Sequence, residues 1–179
     1  MKKLILLISL LTTINTFSQG GILTLNVYQD QRLLWVGDDK GNSSGTINAL
    51  IRSEWQGNPS ELGYLFVYPQ FEIADLAGGT YRRYSAGAGY TFFTPVEFIN
   101  ATASIDYGFI DRVNYGADFS FSSSFELVFS IEDKFYISLM YQFTERSDLA
   151  GYDSTVMLGN NPVRGSGFLG FKIPLIIKK

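Results

Sequence analysis

The residues with chemical potential in this sequence are carboxylates and cationic side chains set among apolar and hydroxyl residues. Arg32, Arg52, Glu54, Glu72, Arg83, Asp106, Asp118 and Glu126 all fall inside alternating stretches rather than in charged runs, and Lys172 has the same setting near the end of the chain. Charges taken out of water must be paired, because an isolated one is costly to bury. These groups are therefore expected to form a mutually neutralising network inside the fold, with a narrow ion path as the functional alternative. Much chemistry is excluded. The 179 residues include neither His nor Cys. Imidazole general bases, His-dependent triads, thiol nucleophiles, disulfides and Cys- or His-type metal sites are thus ruled out. Asp38 and Asp39 are adjacent carboxylates, the residue type of acid–base work, but they lie in a Gly/Ser-rich loop and are expected to be solvated. With Asn42 and Ser44 they offer oxygen ligands of the kind Ca²⁺ takes, although the spacing does not fit an EF-hand loop. Gly87-Ala88-Gly89 sits mid-strand with no helix after it, so its glycines are expected to relieve crowding or bend the strand rather than cradle a phosphate. Asn42-Ser43-Ser44 and Asn100-Ala101-Thr102 are glycosylation sequons by chance. No catalytic residue, metal or cofactor is expected.

The elements that must position those charges follow from composition and periodicity. Charged residues are 17% of the chain, against about 25% in an ordinary soluble domain, and aromatics reach 16%. That balance argues against disorder. The net charge of −3 makes nucleic acid a poor partner. Length predicts one domain. The N-terminus carries Lys2 and Lys3, then an apolar run over Leu4 to Ile14, then Thr16-x-Ser18. This is the pattern of a cleaved signal peptide over residues 1–19, too short for the ~20 residues of a membrane-spanning helix. With no Cys after the apolar run, a lipoprotein anchor is excluded.

Residues 20–179 alternate with period two in eight segments separated by turn residues. The expected strands are Ile22–Val36, Thr46–Gln56, Leu62–Ala74, Tyr81–Phe93, Glu97–Phe109, one within Tyr115–Ile131, Phe135–Thr144 and Val163–Ile177. In the fifth, Ile99, Ala101, Ala103, Ile105 and Tyr107 alternate with Asn100, Thr102, Ser104 and Asp106. Pro69 makes the third the least regular, because proline removes a ladder donor. Strands of ten or more residues exceed the five to six usual in soluble sandwiches and suit a tilted membrane crossing. Links after the second, fourth and sixth strands are compact, while Asp38–Gly45 and Glu145–Pro162 are longer loops. An even strand count puts both termini on the short-turn side.

Alternation alone does not say which face is outside. Three features place the apolar face against lipid. Trp35, Trp55, Tyr84, Phe92, Tyr107, Phe109, Phe135 and Phe143 fall towards strand ends, as in an interfacial aromatic girdle. The opposite face carries charges of both signs in mid-strand. Small hydroxyl residues dominate it in the fifth and sixth strands, which suits a crowded lumen. The predicted fold is all-β: an eight-stranded antiparallel up-and-down transmembrane β-barrel.

On this pattern the chain resembles the small outer-membrane β-barrels of the OmpA-transmembrane and OmpX type. The ending Gly167-Phe168-Leu169-Gly170-Phe171-Lys172-Ile173-Pro174-Leu175-Ile176-Ile177 is similar to the C-terminal strand such proteins present to their insertion machinery, although members often end on an aromatic residue and this chain ends Ile177-Lys178-Lys179. Phe17-Ser18-Gln19 resembles the signal-peptide ending of secreted Bacteroidetes proteins. The resemblance implies a non-enzymatic protein of the cell outer membrane. Its implied partners are outer-membrane lipid, the barrel-insertion machinery and an extracellular partner met by the loops Asp38–Gly45 and Glu145–Pro162. The alternatives are a small porin-like transport barrel and a soluble, lipocalin-like barrel with an apolar ligand inside. Outer-membrane acyl hydrolases of similar size rely on His, so their chemistry does not transfer.

Overall fold

The computed structural model describes residues 21–38, 41–76, 79–112, 116–132, 135–146 and 163–177. The expected signal peptide and most of the 145–162 loop lie outside them. The elements are β1 (Ile22–Asp30), α1 (Gln31–Trp35), β2 (Asn48–Gln56), β3 (Gly63–Leu76), β4 (Gly79–Phe93), β5 (Ile99–Arg112), β6 (Gly116–Glu132), β7 (Phe135–Glu145) and β8 (Val163–Ile177). Each strand pairs antiparallel with its sequence neighbours, and β8 returns to β1, so the sheet closes into a barrel with no free edge. All eight expected strands are present.

The register fixes the shape. Starting at Pro174 on β8, the lateral pairing runs through Thr24, Glu54, Tyr68, Gly87, Asp106, Ser122 and Thr144 and returns to β8 at Arg164, ten residues from its start. Ten residues at about 3.3 Å each, against eight interstrand steps of about 4.8 Å, give a strand tilt of about 40°. Each residue then climbs about 2.5 Å along the barrel axis, so ten residues cover the roughly 25 Å apolar band of an outer membrane. The strands here run from 9 to 17 residues.

The links at the end holding both termini, the terminal end, span 57–62, 94–98 and 133–134; those at the opposite, loop end span 31–47, 77–78, 113–115 and 146–162. Both long connections are at the loop end. Pro69 is accommodated inside β3 with its ring outward, and the β2–β3 ladder is interrupted opposite it, between Arg52↔Gln70 and Trp55↔Val67. Pro174 lies beside a register shift in β1 at Leu23/Thr24. Each proline thus coincides with a local break that tolerates its missing N–H.

One expected element is different. The first strand stops at Asp30 rather than continuing to Val36, and residues 31–35 form α1. Asp30 is the cause: its carboxylate accepts from the backbone N of Leu33 at 3.2 Å, the bond of a helix N-cap. The change of period separates two residues that a strand would have put on one face. Leu33 is buried at 1% exposure, whereas Trp35 is 72% exposed.

The two faces of the wall sort as the alternation predicts. Ile51, Leu65, Ile105, Leu127, Leu139 and Ile173 point outward and are exposed, while Arg52, Glu54, Arg83, Ser122 and Gln142 point inward and are buried. The apolar side chains that a soluble lipid-carrying barrel would hold inside are therefore on the exterior.

Candidate functional site

The lumen is filled by four layers of side chains. Towards the terminal end is an ion cluster whose charges come from three strands, β2, β6 and β8. Lys172 Nζ lies 3.0 Å from Glu126 Oε2 and 3.3 Å from Glu54 Oε1, and Arg52 Nη1 is 3.7 Å from that same Glu54 oxygen. Arg52 Nε and Nη2 donate to Gln70 Oε1 at 2.9 and 2.8 Å. The Tyr28 hydroxyl donates to Glu126 Oε1 at 2.9 Å. The Arg52 guanidinium also lies over the Tyr68 ring, 4.1 Å from its centroid. Two cations face two carboxylates, so the cluster is neutral. In a narrow, filled lumen, such pairing with supplementary hydrogen bonds is what offsets desolvation.

Above it Tyr28, Leu50, Met140 and Phe168 form an apolar layer across the barrel. Its neighbouring rings need room that glycines provide. A Cβ at Gly87 would meet Tyr68 Cζ at 2.7 Å, one at Gly89 would run into the Phe66 ring, and one at Gly170 into the Tyr28 ring. The expectation of crowding relief at Gly87 and Gly89 thus has a specific form: they seat aromatic side chains that fill the lumen.

The third layer is again polar. Arg83 pairs with Asp106 and donates to Ser120 Oγ at 3.0 Å. Arg164 Nη2 lies 3.0 Å from Asp30 Oδ2, and Arg164 Nε lies 3.9 Å from Asp38 Oδ2. Glu72 is held by neutral donors, Asn48 Nδ2 at 2.9 Å and the Tyr81 hydroxyl at 3.3 Å. Closing the loop end is an apolar cap in which Leu33 of α1 meets Ala74, Leu76, Tyr81 and Ile110. The Arg146 guanidinium lies over the Tyr81 ring at 4.6 Å.

Of the charges singled out in the sequence, Arg52, Glu54, Glu72, Arg83, Asp106 and Glu126 line this lumen. Arg32 does not. It is exposed on α1, outside the barrel, and its Nη1 donates to the Gly165 carbonyl at 3.2 Å. Helix formation after Asp30 is what moved it. Asp118 shares the inward parity but is only half-buried near the loop end of β6. Arg164, Arg112 and Arg146 are buried cations that residue-type matching passed over. Arg112 Nη2 donates to the Gly79 carbonyl at 2.9 Å. Strict period-two counting from Lys172 would have marked Arg164.

Seven of the eight expected girdle residues fall in two groups on the outer wall, with Phe125 and Tyr141 exposed between them near mid-strand. Trp55, Phe92 and Phe135 lie at the terminal ends of β2, β4 and β7, whereas Tyr84, Tyr107, Phe109 and Phe143 lie in the half of their strands nearer the loop end. On β4, Tyr84 and Phe92 are eight residues apart, about 20 Å in height at the tilt derived above. Tyr84 stacks on Phe109 with centroids 5.2 Å apart, and Tyr107 stacks on Phe119 at 5.7 Å. Trp35 belongs to neither group, being on α1 beyond the strands.

Asp38 is turned inward, where its carboxylate accepts twice from Asn42 Nδ2 at 2.8 Å and faces Arg164. Asp39 falls outside the described residues. Among the described residues no group of three or more Asp or Glu is placed to hold a metal.

A closed antiparallel barrel of eight strands, apolar outside and filled with paired charges inside, is the architecture of small outer-membrane β-barrels. No protein-family model matches the chain, and no curated protein matches it. Solved structures do match. Ail of Yersinia pestis, in a phospholipid bilayer nanodisc, superposes with a TM-score of 0.53 at 14% identity, over 87% of this chain and 99% of that one. Neisserial surface protein A superposes with a TM-score of 0.51 at 9% identity, over 86% and 96%. A de novo designed transmembrane β-barrel gives a TM-score of 0.50 at 8% identity, over 87% and 95%. At such identities the shared property is the fold.

Proposed function

We propose that this protein resides in a bacterial outer membrane as a non-enzymatic barrel, acting as a structural or adhesive component that meets partners through its loop end. The observation that carries this is the combination of an apolar, aromatic-rich exterior with a lumen filled by paired charges and two apolar layers. Lipid offers no partner for polar groups, so a wall with this outward face is stable in a membrane and prone to associate in water. The filled interior favours a structural over a porin-like role, because eight-stranded barrels are filled and wider ones conduct. The two long links at the loop end are the natural place for an extracellular partner, since loops on rigid scaffolds carry recognition. In this reading residues 1–19 direct export, β8 is the strand offered to the insertion machinery, and the two aromatic groups sit at the two headgroup layers.

The test is a comparison of boiled and unboiled protein from the membrane fraction on an SDS gel, after separating inner from outer membranes by density. A band in the outer-membrane fraction that migrates differently before boiling is expected. Recovery in a soluble fraction, with no shift, would overturn the assignment.

A further inference from the structure

The short helix at the loop end presents two different faces. Leu33 points into the barrel mouth, buried among Ala74, Leu76, Tyr81 and Ile110. Gln31 and Trp35, four residues apart and so on one side of the helix, point away from it, tied by a bond from Trp35 Nε1 to Gln31 Oε1 of 3.1 Å. That side is continuous with the outer wall. Gln31 and Arg32 border an apolar groove of about 600 Å³ that runs along the barrel exterior past Gly167, Tyr141, Leu139 and Leu127. Arg32 is held at its top by the Gly165 carbonyl of β8. Trp35 and Val36 beside it are 72% and 77% exposed, as is Ile47 at 64% where the chain returns to β2.

A tryptophan, an arginine and aliphatic side chains at the upper border of an apolar wall are what a headgroup layer accommodates. The indole takes the interface, the guanidinium reaches phosphate, and its stem covers apolar surface. We propose that α1 is a rim anchor: Arg32 and Trp35 dock on the phosphate layer of anionic lipid, and this docking holds Leu33 in the mouth. The inference rests on the membrane assignment above and deepens it by naming the lipid chemistry and the residues that meet it.

The chain has two tryptophans, so each can be observed alone. In Trp55→Phe, refolded into vesicles of phosphatidylcholine with increasing phosphatidylglycerol, Trp35 is expected to shift its emission to the blue as the anionic fraction rises. It is also expected to be quenched by lipid brominated just below the headgroup and to be shielded from acrylamide. Arg32→Gln should raise the phosphatidylglycerol fraction giving the half-maximal shift about fivefold, the equivalent of about 1 kcal/mol for one basic residue at an anionic surface. Arg32→Lys should recover much of the loss. The companion variant Trp35→Phe reports on Trp55, at the terminal end of the barrel, as a control for insertion. Water-like emission from Trp35 while Trp55 remains lipid-quenched would overturn the anchor and leave the barrel standing, as would a shift indifferent to phosphatidylglycerol or to Arg32. Loss of lipid quenching at both tryptophans would overturn the membrane assignment and the anchor with it.

Discussion

The two polar layers of the lumen solve the same problem in different ways. In the layer near the terminal end, every charge comes from a strand. Lys172 bridges Glu54 and Glu126, Arg52 adds a second cation, and Tyr28 and Gln70 take remaining hydrogen-bonding capacity. In the layer near the loop end, the walls supply Arg83, Asp106, Glu72 and Arg164, but closure depends on connecting segments: Asp38 from the loop after α1, and Leu33 from α1 itself. The first layer is a fixed core built into the sheet. The second is a lid built partly from the segments that face outward. The first layer is thus held by strand residues alone, whereas the second also leans on connecting segments, the less protected parts of a fold.

That contrast can be broken by substitution, and the largest effect is expected at Lys172. Replacing it by Met leaves Glu54 and Glu126 buried with one cation between them. Urea unfolding of the lipid-refolded barrel should show a loss of about 3–5 kcal/mol, the usual consequence of removing one partner from a buried charge set. Adding Glu126→Gln should restore part of it, since the orphaned charge goes too. At the loop end, Arg164→Met should cost less, about 1–3 kcal/mol in the same assay. Asp30 keeps the Leu33 backbone N as a donor, at 3.2 Å. Glycines sharpen the comparison within one strand. Gly170→Ala drives a methyl into the Tyr28 ring and should cost about 1–3 kcal/mol. Gly167→Ala, whose Cβ would meet nothing within 4 Å, should change stability by less than about 0.5 kcal/mol. A small global effect is also expected from Leu33→Asp. It should release the cap and speed proteolysis between residues 31 and 47, yet lower barrel stability by less than about 1 kcal/mol, because local opening of a connecting segment is uncoupled from the sheet. Equal losses for Leu33→Asp and Lys172→Met would erase the distinction between core and lid.

Much of this architecture was legible in the chain, for a physical reason. In a one-layer closed wall, lipid on one side and a packed lumen on the other force a strict two-residue period, and that period is visible wherever the two faces differ in polarity. The inward places of Arg52, Glu54, Glu72, Arg83, Asp106 and Glu126 follow from it. The period fails as a guide where a face is mixed. Leu50, Phe66 and Phe168 are apolar residues on the inward parity, hidden because hydrophobicity is the marker of the outside. Position relative to Arg52 and Lys172, rather than residue type, is what places Leu50 and Phe168 in the lumen. The first connection escapes this period because Leu33 and Trp35 continue the alternation of β1 by coincidence, although they lie on a helix. Asp30, which suits an inward acid equally well, is also a helix cap. Asp38 looked like a solvated loop carboxylate because nothing local announces Arg164, its partner far along the chain.

The account rests on a lumen sealed at both ends by paired charge and apolar layers. Planar-bilayer recording of the refolded wild-type barrel tests that most directly. It predicts insertion, verified by the heat-dependent gel shift, with no steady unitary current and none gained by Leu33→Asp while the Lys172 cluster is intact. A reproducible ohmic step from the wild-type protein would contradict it and turn the ion clusters into the lining of a conducting path.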